Sequence, residues 1–401
     1  MVTLTGRPKH LGRLWGEINH VDIATHLRQF LDLARNEHGL NEQALVARSG
    51  HYNEIVAALA PHWLEESDAI AAAAGVAPAL YRAFLAGKYR GLLFREDCTS
   101  YAAVGDATAD GRTLFHKNRD NRARPQVVYR KQTEVSGKGL LPFIAVGDTS
   151  DTGLMMMVNA AGLAGSADTA GADPDPYFSG LMNPYGLCHI AENATTCEEA
   201  LALVQMMTDK GYYAGGDTAT NWTFADRHGS ASVVYNAHQT VKVETVRDGF
   251  IQSCEREGLR EFLGERVGNL TPQDLNEASR LPGVCMETNC SSLTVLIDSE
   301  YPHLFTCAWA ALGRASQAAY FPLYMGAGSM PRSYLDGTLF AYSHRQPGRE
   351  VMAELEEDCE ETRAKIEAEA RTALATGHVR VARHYLEVAA VHAAEEAEKR
   401  L

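Results

Sequence analysis

A chain of 401 residues with 45% hydrophobic and 22% charged side chains can bury a large core, and a net charge of −14 opposes nonspecific binding to nucleic-acid phosphates. No stretch approaches the roughly 20 unbroken apolar residues that cross a bilayer, so the composition predicts no membrane span and favours a small or peptide-like partner. The first residues, MVTLTGRPKHLGRLWGEINH, lack the apolar run and small-residue cleavage site of a signal peptide, which predicts a cytoplasmic, reducing location.

Helices come first. HVDIATHLRQFLDLARNE, QALVARSGHYNEIVAALA, PHWLEESDAIAAAAG and APALYRAFLAGKYRGLLF place apolar residues at three and four spacing, punctuated by Pro61 and Gly75. At Cys98 the texture changes to short runs rich in β-branched and aromatic residues: TSYAAVGDA, GRTLFHK, QVVYRKQ, FIAVGD, GLMMMVN, TNWTFAD, SASVVYN and SLTVLID. ADG at 109–111, GADPDP from Gly171 and RHG at 227–229 separate them as turns, and helical segments begin at Thr195 and Arg256. After Pro347 the chain is charged and helical to Leu401, broken at Gly377, and this tail is expected to pack on the core or on a second copy in a homo-oligomer. The order predicts an α+β fold with a helical segment at 1–97, a core at 98–347 and a helical extension at 348–401.

The cysteines are Cys98, Cys188, Cys197, Cys254, Cys285, Cys290, Cys307 and Cys359, with no C-x-x-C pair and no H-E-x-x-H, so no metal and no cofactor is expected. Asn193, Asn221, Asn269 and Asn289 head N-x-[ST] triplets that matter only in a secreted protein. The most informative stretch is EDCTSYAAVGDATADGRTLFHKNRDN, which reads as a hairpin folded at Asp110-Gly111. Cys98 and Asp120 lie 120 − 98 = 22 positions apart, so the fold brings a thiol and a carboxylate side by side. Taken alone, a cysteine at a strand start is more often a small buried hydrophobe than a nucleophile.

The segment resembles the nucleophile hairpin of the N-terminal-nucleophile (Ntn) hydrolase superfamily, in particular the penicillin acyl-coenzyme A:6-aminopenicillanic acid acyltransferase-like family, through Cys98-Thr99, Asp110-Gly111 and Asn118-Arg119-Asp120. The length of the hairpin is also similar to that of the cysteine dipeptidases. Weaker resemblance runs over roughly residues 55 to 325, through the helical segment before Cys98, GLMMMVNAAGLAGS, GDTATNWTFADRHGSASVVY, SCEREGLREFLGERVGNLTPQDL and SSLTVLIDSEYPHLFTCAWA.

This resemblance implies a four-layer αββα sandwich, cleavage of the Asp97–Cys98 bond, and retention of the 1–97 segment as a subunit. Cys98 would then be the nucleophile, with its new α-amino group, ordinarily of pKa about 7.7–8.0, as the base. Asp120 would orient that amine, the alternative being a strand-end carboxylate. Asn221 would donate to the oxyanion, or cap a loop after Gly215-Gly216. Asn159 could serve nearby, or be a turn residue before Gly162; Thr99 could assist self-cleavage, or pair across the sheet. His116 shares a strand face with Asn118 and Asp120, but the mechanism does not need it.

Three positions depart from the pattern. Asp97 stands where a small residue precedes the nucleophile, Lys117 where bile-salt-hydrolase relatives have Arg, and Thr288-Asn289-Cys290 where the acyltransferase has an Arg; Arg119 or Arg314 could compensate. The expected activity is hydrolysis of a linear amide through a Cys98 thioester. An acyltransferase, a dipeptidase, and an uncut binding or assembly protein are the alternatives.

Overall fold

The computed structural model describes residues 1–86, 97–121, 124–173, 180–213, 218–237, 240–345 and 348–400. The last residues before Asp97, the Gly215-Gly216 pair and the expected boundary at 347 lie outside the described residues.

Two sheets form the centre. The larger runs β1-β4-β5-β6-β7-β8-β9-β10, the smaller β11-β2-β3-β12-β13-β14. The first comprises β1 (Leu4–Gly6), β4 (Gln126–Thr133), β5 (Phe143–Asp148), β6 (Met156–Asn159), β7 (Leu163–Ala172), β8 (Thr218–Asp226), β9 (Ala231–Ala237) and β10 (Thr240–Val246). The second comprises β2 (Asp97–Val104), β3 (Leu114–Asp120), β11 (Gly249–Gln252), β12 (Asn289–Leu296), β13 (Cys307–Ala311) and β14 (Tyr320–Tyr324). Every pairing is antiparallel except β1 with β4.

Their facing surfaces touch through Ser100 of β2, whose hydroxyl lies 2.7 Å from that of Ser166 on β7, and through Arg119 of β3, which reaches Asp148 on β5 at 3.0 Å. Helices pack on both sheets. Asn183–Asn193 and Cys197–Asp209 pack on the larger sheet, while Pro272–Ala278 packs on β3 and β12.

β7 shows how tertiary context overrides propensity. LAGSADTAGA is rich in Gly and Ala, poor strand formers, and the sequence predicts no strand there. It becomes one because β6 and β8 pair with it on both sides. Gly165 is required by that packing, since a Cβ would meet the Met157 methyl and the Phe224 ring at 2.9 Å each.

The N-terminal segment is not purely helical. β1 extends the larger sheet, so the segment begins as part of the core it was expected to precede. The long helix Pro8–His38 lies against Pro61–Ala73 closely enough that a Cβ at Gly12 or Gly16 would meet the carbonyl oxygens of Glu66 and Ile70 at 2.3 and 2.6 Å. Glu66 then pairs with Lys131 of β4 at 2.6 Å, both nearly fully buried. Burial works against the Lys131 charge, but the Glu66 carboxylate outweighs it and the ammonium pKa is raised. His62 and Trp63 both reach the Glu192 carboxylate, at 3.0 and 3.1 Å.

At the other end, helices Arg349–Ala375 and Val379–Arg400 form a hairpin turned at Gly377, whose φ of +83° favours glycine. They pack on β14, anchored by Glu356 to Arg280 at 2.5 Å, Tyr324 to Glu367 at 2.7 Å and Arg371 to Asp298 at 2.6 Å. Among the described residues no helix is long and apolar enough to cross a membrane.

Candidate active site

The hairpin forms as expected. β2 and β3 pair from Asp97 opposite Asp120 to Ala103 opposite Leu114, and the connection contains Gly111 at φ +74°. Cys98 lies opposite Arg119, and Thr99 opposite Asn118.

Alternation then sorts the side chains. Ser100 points between the sheets, to Ser166 and to Asp168 Oδ1 at 2.9 Å, so Cys98, two residues earlier, faces the same space. Asp120 is on the opposite face with Thr99 and Asn118. Asp120 thus stands opposite Asp97, beside the peptide that joins Asp97 to Cys98. Its Oδ1 accepts from Asn289 Nδ2 at 3.2 Å, and the same amide donates to the Arg119 carbonyl at 3.0 Å. Asn289, at the position where an arginine was missed, acts as a clamp on this end of β3.

The thiol side is lined by ion pairs. Arg119, fully buried, forks onto Asp148 at 3.0 and 3.1 Å and donates to Gln126 Oε1 at 2.8 Å. Gln126 in turn donates to Asp148 at 2.5 Å and accepts from Ser291 Oγ at 3.0 Å. Lys117 directs its ammonium to Asp168 at 3.2 Å and to the carbonyls of Met155 and Ala167 at 3.0 and 2.6 Å. Arg119 is thus the cation nearest Cys98 along β3, and Lys117 sits one pleat further in.

Asn221 is the Cα partner of Asp168 and donates to the Ser253 carbonyl at 3.0 Å. Ser253 holds Ser100 twice, its N–H donating to the Ser100 carbonyl at 2.8 Å and its hydroxyl accepting from the Ser100 N–H at 2.9 Å. Asn221 therefore joins the strand that carries Cys98 through one intervening residue. Asn159 does not join it. Both its amide hydrogens go to the carbonyls of Ala191 and Ala194, at 3.1 and 2.7 Å, and its oxygen accepts from Ala161 and Leu163. Both side-chain amide hydrogens of Asn159 are thus engaged, which favours its reading as a turn residue.

The sequence did not single out Asp148, Asp168 or Arg256. Acids at the end of FIAVGD and inside the small-residue run GSADTAG were signals of a kind, being charges on otherwise apolar strands. Arg256, in the charged loop SCEREG, carried none. Its Nε donates to Thr99 Oγ1 at 2.7 Å and its Nη2 to the Cys98 carbonyl at 3.2 Å. Cys254 Sγ approaches the same carbonyl at 3.6 Å.

The thiolate is the reactive form of a cysteine, and burial disfavours it. Burial pushes up Cys188, Cys197, Cys254, Cys307 and Cys359, and Cys290 to about 11.

His116 is structural. Its Nε2 donates to Asn118 Oδ1 at 2.9 Å, its Nδ1 meets Thr294 Oγ1 at 2.7 Å, and it stacks on Tyr101 at 4.7 Å. Burial pushes its pKa down to about 3. The unfolded chain protonates near 6.5 and the folded one does not, so this stability is complete above pH 6.5 and declines as pH falls toward 3. In urea titrations between pH 6 and 4, His116→Gln is expected to lose stability less steeply than wild type, by about 1.4 kcal/mol per pH unit. Parallel lines would place the proton elsewhere.

No family model and no curated protein matches the chain. Among solved structures it is similar in part to a penicillin V acylase from Agrobacterium tumefaciens, at 12% identity and a TM-score of 0.41, over 57% of this chain and 86% of that one. It is also similar to the Caenorhabditis elegans orthologue of N-acylethanolamine-hydrolyzing acid amidase, at 13% and 0.38, over 52% and 98%. A third is the conjugated bile acid hydrolase of Clostridium perfringens, at 12% and 0.32, over 54% and 89%. Likeness of this degree is partial, and the chemistry below rests on the residues of this chain.

Proposed function

We propose that the chain is a cysteine amidohydrolase of the Ntn type, an αββα sandwich that cuts its own Asp97–Cys98 bond and then hydrolyses a linear amide through a Cys98 thioester. The observation that carries this is the register of the hairpin: Asp97 lies opposite Asp120 and Cys98 opposite Arg119, so a carboxylate flanks the peptide and a guanidinium flanks the thiol.

In self-cleavage, Cys98 Sγ attacks the Asp97 carbonyl carbon. The C–N bond breaks, the Cys98 nitrogen leaves as an amine after taking a proton, and water hydrolyses the thioester to an Asp97 carboxylate and a free thiol. In turnover, the α-amino group accepts the thiol proton as Sγ attacks the substrate carbonyl. That proton passes to the departing amine, and water releases the acid. Asp120 favours the charged form of the α-amine, which accumulates as the tetrahedral oxyanion forms. Asn221 supplies an amide N–H toward that oxyanion. Hydrolysis is preferred to acyl transfer because it requires no second binding site for an amine.

The N-terminal segment supports retention after the cut. β1 within the larger sheet and the buried Glu66–Lys131 pair bind it to the core by contacts that do not depend on the 97–98 bond.

The reading is tested by intact and peptide mass spectrometry after exposure to N-acyl amines, N-acyl amino acids and dipeptides. The expected result is an acyl adduct on Cys98, formed about 10²–10³-fold more slowly in Asn221→Ala, the usual effect of removing an oxyanion donor. Substrate turnover by Cys98→Ala at the wild-type rate would sink it.

A further inference from the structure

We infer that Arg256 is the positioning residue for Cys98: its side chain takes the place of a neighbouring strand at the start of β2 and brings a positive charge to the nucleophile residue. This rests on the proposed role of Cys98.

The argument begins with the edge of β2. β11 pairs with it from Val104 down to Tyr101, and Ser253 continues with both bonds to Ser100. There the main-chain ladder stops. The next carbonyl on that edge belongs to Cys98, and it is met by Arg256 Nη2 at 3.2 Å, while Nε holds the adjacent Thr99 hydroxyl at 2.7 Å. A guanidinium offers donors in a fixed fork, so it can hold two oxygens of neighbouring residues at once.

In the uncut chain this clasp supplements a continuous strand. After cleavage Cys98 becomes a chain terminus, and chain ends fray unless they are tied down. β3 would hold it on one side and Arg256 on the other. An ångström of misplacement at a reacting atom typically costs about 10²-fold in rate, so this contact bears on the chemical step.

The charge matters as well. Facing Cys98 from β3 and β5 is Arg119 paired with Asp148; further in, from β3 and β7, is Lys117 paired with Asp168; Asp120 flanks the peptide. The first two cations are each opposed by a buried carboxylate. Arg256 adds a third cation, held on the Cys98 carbonyl and the Thr99 hydroxyl with the Cys254 thiol 3.6 Å from the same carbonyl, and a cation near a thiol favours the thiolate.

The experiment follows Cys98 by peptide mass in wild type, Arg256→Ala and Arg256→Lys, using 4-nitrophenyl acetate for acylation and iodoacetamide from pH 5 to 10 for thiolate formation. Expected for Arg256→Ala is acetylation slowed about 100-fold and an alkylation midpoint raised by about one pH unit. Millimolar guanidinium restores at least about tenfold of the rate, and Arg256→Lys falls between, since it keeps the charge but not the fork. Near-UV circular dichroism identifies an unfolded variant, which guanidinium at this concentration does not rescue. Wild-type rate and midpoint in folded Arg256→Ala, or a loss in folded protein that guanidinium leaves unchanged, overturns the inference alone. Absence of any Cys98 adduct in wild type overturns the nucleophile reading and this inference with it.

Discussion

On a denaturing gel the wild-type protein is expected to run as two fragments, residues 1–97 and 98–401, and Cys98→Ala as one chain of 401 residues. The effect is all-or-none because Cys98 supplies the attacking sulfur. The Asp97–Cys98 peptide lies inside a strand, between residues paired with Asp120 and Arg119, so both its sides are held before the expected reaction. On a native sizing column the two fragments are expected to co-elute. The reason is energetic: separation would expose apolar faces of the helices Pro8–His38 and Pro61–Ala73, where Trp15 packs on Tyr129 and Trp63 on Tyr185, and would leave Glu66 and Lys131 without each other. Such apolar surfaces are not left bare on soluble proteins. A single band from wild type would overturn self-cleavage, and with it the α-amino group as the base, even if Cys98 proved reactive.

Much of this was legible because it depends on local pattern. The hairpin and its turn at Asp110-Gly111 follow from a period of two and a D-G pair. The C-terminal helices and the break at Gly377 follow likewise from local signals. What escaped depends on sequence-distant pairing. β1 is three residues, LTG, and is a strand only because β4 lies next to it. β7 has no strand-forming composition, and its Asp168 became meaningful only once β7 was set against Lys117 of β3. Arg256 lies 256 − 98 = 158 positions from Cys98, in a loop whose charges resemble those of any solvated turn. At Asn159 the motif left a turn and a donor equally open, and the side chain is engaged by the turn at Ala161 and Leu163 and by the helix-end carbonyls of Ala191 and Ala194.

Asp148→Asn is expected to destabilise the protein by about 3–5 kcal/mol, the typical cost of leaving a buried cation without its counter-charge. Arg119 and Asp148 are both fully buried and joined through two bonds of 3.0 and 3.1 Å. Gln126 cannot replace the carboxylate, since its oxygen already accepts from Arg119 and Ser291 and its nitrogen donates to Asp148. The pair is costly to break but not necessarily costly to lose whole. Replacing both partners by apolar groups of similar size removes two desolvation penalties together, and such replacements are often neutral. Arg119→Met with Asp148→Leu is therefore expected to recover most of the stability lost in either single variant, with a coupling above about 2 kcal/mol in a urea double-mutant cycle. Cys98 makes the comparison informative. It lies opposite Arg119, so a stable double variant still lacks the cation beside the thiol and is expected to acylate more slowly despite its restored fold. Full recovery of the acylation rate together with stability would reduce Arg119 to a packing role and leave the electrostatics of the nucleophile to the other edge of the strand.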